Sequence, residues 1–305
     1  MKLKKLFTAT AVALLWAAGA MPAQAQRFIL IGTAGAVVSA GETSAWSWGG
    51  GPAFTFNAKT GLLNQIANSP IFNDISAGGG SAFQNDEVWG VDYMGNTQRW
   101  NYSSQSFAEV AGPKMAGVNV GAGYTTCHQY EIWGIDTVNQ AWRYNFCDNN
   151  WDSLGGNFTQ IVTSGGEVWG LNNFGNPLLF NPTTQQFSLL PGGFVQLTVG
   201  EGDVWAIEES GLPYQFDPAT QDWDQTGGTS NSVYGSLVAG KEGVFSFDCL
   251  NGFSAIYRLN VSFETWSSVT NYDGNYCYDQ LTDGSGGGAW SANYITNRNY
   301  VYITY

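Results

Sequence analysis

An all-β fold is predicted for this 305-residue chain, laid out as a ring of four-stranded antiparallel blades. The composition is the first sign: 40 glycines, 15% aromatic and only 11% charged residues suit a turn-rich sheet protein. The second is an absence. Beyond the first 25 residues, no stretch carries apolar residues at i, i+3 and i+4 through three helical turns. The third is a strand-and-turn spelling that returns at a period of roughly forty residues, the period of propeller blades.

The tryptophan of each Val/Ile-Trp unit marks the repeat. It falls at Trp89, Trp133, Trp169 and Trp205, with looser copies at Trp46, Phe245 and Trp290. The spacings are 43, 44, 36, 36, 40 and 45 residues, which predicts a seven-bladed propeller. One unit shows the strands. FTQIVTSGG alternates apolar and polar residues, EVWGLN is a second strand, NFGN is a tight turn, and PLLFNP and QQFSLLPGG complete the sheet. The residues ten beyond the marker, Arg99, Arg143, Leu179 and Gln215, lie in third strands, so the hairpin has constant length. A four-residue turn would set Arg99 opposite Gly90 and Arg143 opposite Gly134, with room for each guanidinium to reach a carboxylate of the next blade.

The two ends are expected to close the ring together. Phe28 precedes Trp46 by eighteen, as Trp151 precedes Trp169, so RFILIG reads as an outer strand with no blade of its own. YDQLTDG, GAWSAN and NYVYITY supply three strands at the other end. The amino-terminal strand is expected to be their fourth, which removes two exposed sheet edges.

Residues 1–25 read as a secretory signal peptide, with a basic start at Lys2, Lys4 and Lys5, an apolar run, and Ala23-Gln24-Ala25 for cleavage. Residues 26–305 then form a single domain, exported to the periplasm or beyond the cell. No later run is long enough for a membrane span. The formal net charge is −13, more negative once the leader's lysines are gone. That disfavours nucleic acid and anionic lipid as partners. A monomer is expected.

The four cysteines follow the blade map. Cys127 and Cys147 fall in two loops at one end of the third blade, and Cys249 and Cys277 at the other end of the ring, between the sixth and seventh. Any other pairing would span distances a disulfide does not bridge. Cys127–Cys147 and Cys249–Cys277 are the expected bonds.

The units EVWGVDYMGNTQRWNY, EIWGIDTVNQAWRYNF, EVWGLNNFGNPLLFNP and DVWAIEESGLPYQFDP resemble tectonin repeats, the β-propeller units of tectonin-type lectins. FNDISAGG, VNVGAG and FVQLTVGEG resemble the first strand of that repeat, and QRWNY and WRYN its third. Four units match well and three poorly; Ala206 stands where the motif has Gly. The lectins of this family are six-bladed, against seven markers here. The resemblance implies non-catalytic binding of surface glycans.

The residues themselves allow that reading and a plainer one. Trp89, Trp133, Trp169 and Trp205 could stack on sugar rings at several weak sites whose avidity adds, or fill the wedge between neighbouring sheets. Asp92, Asp136, Asn172 and Glu208, each three beyond its marker, could accept hydrogen bonds from sugar hydroxyls or cap the hairpin turns. Catalysis is disfavoured. The chain holds one histidine, His128, and no trustworthy nucleophile motif, calcium loop or zinc spacing. No cofactor or metal is called for. A protein-binding scaffold is the alternative to glycan binding, and a propeller glycosidase or lyase the third reading.

Overall fold

The computed structural model describes residues 27–303 apart from loop positions 34–36, 42–43, 50, 58–59, 61, 80–84, 124–126, 128–129, 165, 201–202, 227–235, 241–242, 251–252, 261–264, 269–279, 285–287 and 294–297. All regular structure among these residues is β-strand, arranged in seven four-stranded antiparallel sheets. The first strand of each sheet packs on the first strand of the next, from Val37–Ala40 round to Gln280–Gly284 and back to Val37–Ala40, so the inner strands form a closed ring.

Seven markers do not, however, give seven like blades. Six blades are each complete in one continuous run of chain: residues 37–65, 72–110, 115–155, 158–189, 196–225 and 236–268, here blades 1 to 6. The remaining sheet is a composite. Beyond blade 6 the chain supplies three strands, Gln280–Gly284, Gly288–Asn293 and Arg298–Ile303, and the amino-terminal Arg27–Thr33 lies outside them as the fourth. Phe28 pairs with Tyr302 and Ile29 with Val301.

Blade 4 shows why the sequence makes this sheet. Phe158–Ser164, Glu167–Asn172, Pro177–Asn181 and Gln186–Leu189 alternate their side chains between two faces, and each face meets a neighbouring blade. Both faces are therefore rich in apolar side chains, and the third-to-fourth connection is a tight polar turn. The marker tryptophan sits in the middle of the second strand and points to the following blade. Trp169 meets Phe216 and Trp223 of blade 5 with ring centroids 4.8 and 6.0 Å apart. Trp46 meets Trp100 of blade 2, Trp89 meets Tyr144 of blade 3, and Trp133 meets Phe180 of blade 4 in the same way. At these four interfaces a large aromatic contact, edge-to-face or tilted, fills the wedge that opens between radiating sheets.

The residue beside the marker must be small for the opposite reason. A Cβ at Gly90 would lie 2.6 Å from a Phe72 ring atom, and one at Gly170 2.5 Å from Phe158. In blade 5 the position is Ala206, paired with Leu197 and 1% exposed, so a methyl is accommodated there.

Near the axis, side chains of one inner strand bind the backbone of the next. Asp74 Oδ2 accepts from Val118 N at 2.8 Å, Ser76 Oγ from Val120 N at 3.0 Å, and Asn119 Oδ1 from Thr163 N at 3.0 Å. Gln160 both donates to Leu197 O and accepts from Leu197 N, at 2.9 and 2.7 Å, and Gln196 repeats this on Leu237. These bonds satisfy inner-edge amides that no strand pairs.

Cys127 and Cys147 form a disulfide with Cα atoms 5.4 Å apart. Cys277 and His128 lie outside the described residues, as does the leader, so the second pairing and the leader reading fall there.

Candidate interaction face

The end of the ring formed by the second-to-third hairpins is built by one recurring device. In blades 2 to 5 the hairpin has three loop residues, not four, ending in a left-handed position: Gly95 at φ 81°, Asn139 at 67°, Gly175 at 77° and Gly211 at 85°. This is a type I turn closed by a glycine or asparagine that tolerates positive φ. The shorter loop shifts the expected register by one. Arg99 pairs with Trp89 and Arg143 with Trp133, while Gly90 faces Gln98 and Gly134 faces Trp142.

The expected belt of acceptors, Asp92, Asp136, Asn172 and Glu208, sits at this end. In the first three, Oδ1 accepts from the backbone N–H two residues on, Met94, Val138 and Phe174, each at 2.9 Å. It accepts again from Asn96, Gln140 and Asn176, at 2.9, 2.8 and 3.0 Å. Asp92 Oδ2 takes Asn96 and Gln98 amides, and Asp136 Oδ2 takes the Trp142 indole N–H at 2.9 Å. Burial alone would raise the Asp92 carboxyl, but the bonds from Asn96, Gln98 and Met94 outweigh it and hold the pKa below its ordinary 3.8. These oxygens cap turns. Glu208, one carbon longer, instead accepts from Ser210 Oγ and from Tyr214 OH.

Those caps have a consequence that sequence reasoning missed. Fixing the N–H of the second turn residue fixes its side chain outward, and in three blades that residue is apolar. Met94 is 61% exposed, Val138 67% and Phe174 78%. Tyr93, Ile71 and Val195 are also exposed at this end, and Tyr93 N donates to Ile71 O at 3.0 Å. Of the eight large apolar side chains exposed among the described residues, six are here; Leu62 and Leu189 are on outer strands. The available signal was an apolar residue inside a turn spelled with Asx and Gly or Asn: DYMG, DTVN, NNFG.

The rim is held stiffly. Met115 N donates to Gly95 O, Phe158 N to Asn139 O and Phe194 N to Gly175 O, at 2.9, 2.8 and 2.7 Å. Each hairpin is thereby bonded to the chain entering the next blade. Inward from the rim, where blades 2, 3 and 4 meet, a cavity of about 160 Å³ is lined by Asp74, Gly117, Asn119, Ile135 and Gln160. Desolvation raises the Asp74 carboxyl to about 6 despite the hydrogen bonds it accepts from the Val118 and Ile75 amides.

The other predicted residues are elsewhere. Trp89, Trp133, Trp169 and Trp205 are 0–1% exposed between blades, and a ring so enclosed offers no face to a sugar. Their indole N–H groups are satisfied by the residue two before. Glu87 accepts from Trp89 at 2.8 Å, Glu131 from Trp133 at 3.3 Å and Glu167 from Trp169 at 3.1 Å. Asp203 is too short, and the Trp205 indole N–H has no acceptor.

Arg99 binds Glu87 of its own blade rather than a carboxylate of the next. Nε lies 2.5 Å from Oε1 and Nη2 3.1 Å from Oε2. Arg143 lies 3.9 Å from Asp152, also in its own blade. What each guanidinium meets in the next blade is an aromatic ring: Phe146 at 5.3 Å from Arg99 and Phe180 at 6.0 Å from Arg143. No group of three or more His, Cys, Asp or Glu among the described residues could hold a metal ion. The rim presents apolar contact area, a chemistry of adhesion.

No protein-family profile and no curated protein sequence matches this chain. Solved structures do match it in shape. A structure described as YCF48 bound to D1 peptide is 14% identical and covers 92% of this chain and 96% of its own, with a TM-score of 0.65. The chain is a β-propeller. The Cps50 (Swd1) β-propeller domain of Myceliophteria thermophila is 11% identical over 91% of this propeller and 99% of that domain, with a TM-score of 0.68. The RRP9 WD40 repeats are 9% identical over 93% and 99%, with a TM-score of 0.64. Likeness at these identities concerns the fold, and the tectonin resemblance finds no match in these comparisons.

Proposed function

We propose that this propeller is a non-catalytic scaffold that binds a protein segment on the hairpin end of its ring, working outside the cytoplasm after loss of residues 1–25. The observation that carries the proposal is the apolar rim. Met94, Val138 and Phe174 are held outward by identical caps at the same turn position of three successive blades. Exposed apolar side chains gathered on one face suit association with a partner. A rim pre-set by capped hairpins loses little conformational entropy on docking. The matched fold agrees, since one similar propeller is described with a bound peptide. The acidic chain favours a partner segment with apolar anchors beside basic residues.

Glycan binding, implied by the tectonin resemblance, would need residues other than the buried markers. The two readings separate in one experiment. Peptides selected from a displayed library against the mature protein should bind, and should weaken at least about tenfold with Val138→Ser and Phe174→Ser together. Leu189→Ser, on an outer strand, should leave them unchanged. Binding to arrayed glycans, with no peptide selected, would overturn the proposal.

A further inference from the structure

The opposite end of the ring, where first-to-second and third-to-fourth loops meet, carries a cleft between blades 4 and 5. It encloses about 170 Å³, and its lining includes Glu167, Asp203, Trp169, Leu179, Phe216 and Gln221. The chain's own pattern shows what such a place accommodates. At the interface of blades 2 and 3, the residue paired with the marker is Arg99, whose guanidinium bonds to Glu87 and lies 5.8 Å from the Trp89 ring centre. At the next interface Arg143 takes that position, 5.9 Å from Trp133 and 6.0 Å from Phe180.

Blade 4 keeps every part of this arrangement except the cation. Glu167 stands where Glu87 and Glu131 stand, Trp169 is the marker, and Phe216 meets it at 4.8 Å as Phe180 meets Trp133. The residue paired with Trp169 is Leu179. Leu179 ends in methyl groups where the arginine would carry its charged fork, and it lines the cleft. Asp203 of the next blade adds a second carboxylate. Among the described residues, neither Glu167 nor Asp203 forms an ion pair.

We infer that this cleft binds a guanidinium group supplied from outside, that of an arginine side chain in an extended peptide. Glu167 accepts its N–H groups, the half-buried Phe216 ring faces the cation, Asp203 adds charge, and the buried Trp169 reports the event through its indole bond to Glu167. Arginine suits the site better than lysine, because a planar fork meets a carboxylate with two donors and lies flat against an aromatic ring. This site lies at the end of the ring away from the apolar rim and does not depend on it.

The test is titration of the ¹⁵N-labelled mature protein with the peptide Ac-Gly-Arg-Gly-amide, reading the Trp169 indole N–H, whose hydrogen bond ends on Glu167. A saturable shift of that signal, with the Trp89 and Trp133 indoles unmoved, is expected. The citrulline peptide, isosteric but neutral, should bind at least tenfold more weakly. Glu167→Gln, which keeps an acceptor for the indole, should weaken the arginine peptide by a similar factor, and Leu179→Arg should abolish its binding by supplying the cation internally. If Leu179→Arg does not fold, Glu167→Gln and the citrulline peptide decide. Equal binding of both peptides, binding undiminished by Glu167→Gln, or no Trp169 shift at millimolar peptide would each overturn the inference.

Discussion

At the scale of single residues, the marker tryptophan joins two requirements that the sequence spells together. Its ring fills the inter-blade wedge, and its indole N–H needs an acceptor in a place water does not reach. Glutamate two positions earlier reaches that N–H from the same strand face. The spelling E-V-W or E-I-W therefore encodes a buried hydrogen bond as well as a strand. Trp169→Ala should cost about 3–5 kcal/mol in urea unfolding, as removal of a core aromatic does. Blade 5 allows the finer test. Asp203→Glu would give the unpartnered Trp205 indole its acceptor and should stabilise by about 1 kcal/mol. The tryptophan positions were legible from spacing alone. Their burial was not, because the same alternation serves a ring that faces a ligand and one that faces a neighbouring sheet.

At the scale of elements, the hairpin and the inner strand have separate tasks. The Asx cap makes the hairpin, and Asp136→Ala removes an acceptor of three hydrogen bonds. Its cost should be about 1–3 kcal/mol by chemical denaturation, with the largest local loss of amide protection at Val138 and Gln140. The one-residue shift of Arg99 and Arg143 shows where sequence reasoning stopped. A constant marker-to-strand distance fixes the total length of the hairpin but not how many residues lie in its loop.

The inner strand ties blades together through Asp74, and it does so at an electrostatic cost. The folded protein holds the Asp74 proton up to about pH 6, whereas the unfolded chain releases it near 3.8. Stability attributable to this group therefore falls as pH rises between those values and stays low above them. Asp74→Asn retains an acceptor for the Val118 amide. It should flatten that part of the pH profile and raise stability at pH 7 by about 1–2 kcal/mol, measured as urea midpoints from pH 4 to 7.5.

At the scale of the molecule, the shared sheet turns a row of blades into a ring. Without Arg27–Thr33 the strand Arg298–Ile303 would be an open edge. Deleting residues 26–33 from the mature chain should replace one cooperative unfolding transition with a broader one and promote association through that edge, both visible by calorimetry and light scattering. The closure was legible because Phe28 keeps the eighteen-residue offset of other outer strands. The interaction face was not, since a propeller fold sets no function and an exposed apolar turn residue stands out only once the cap beneath it is seen.

The most direct test of the whole account is a hydrogen-exchange footprint of the mature protein with a library-selected peptide bound. The account predicts added protection at the capped hairpins, residues 92–96, 136–140 and 172–176, whose turn residues carry the apolar rim. Protection confined to outer strands, or to the loops at the other end of the ring, would contradict it.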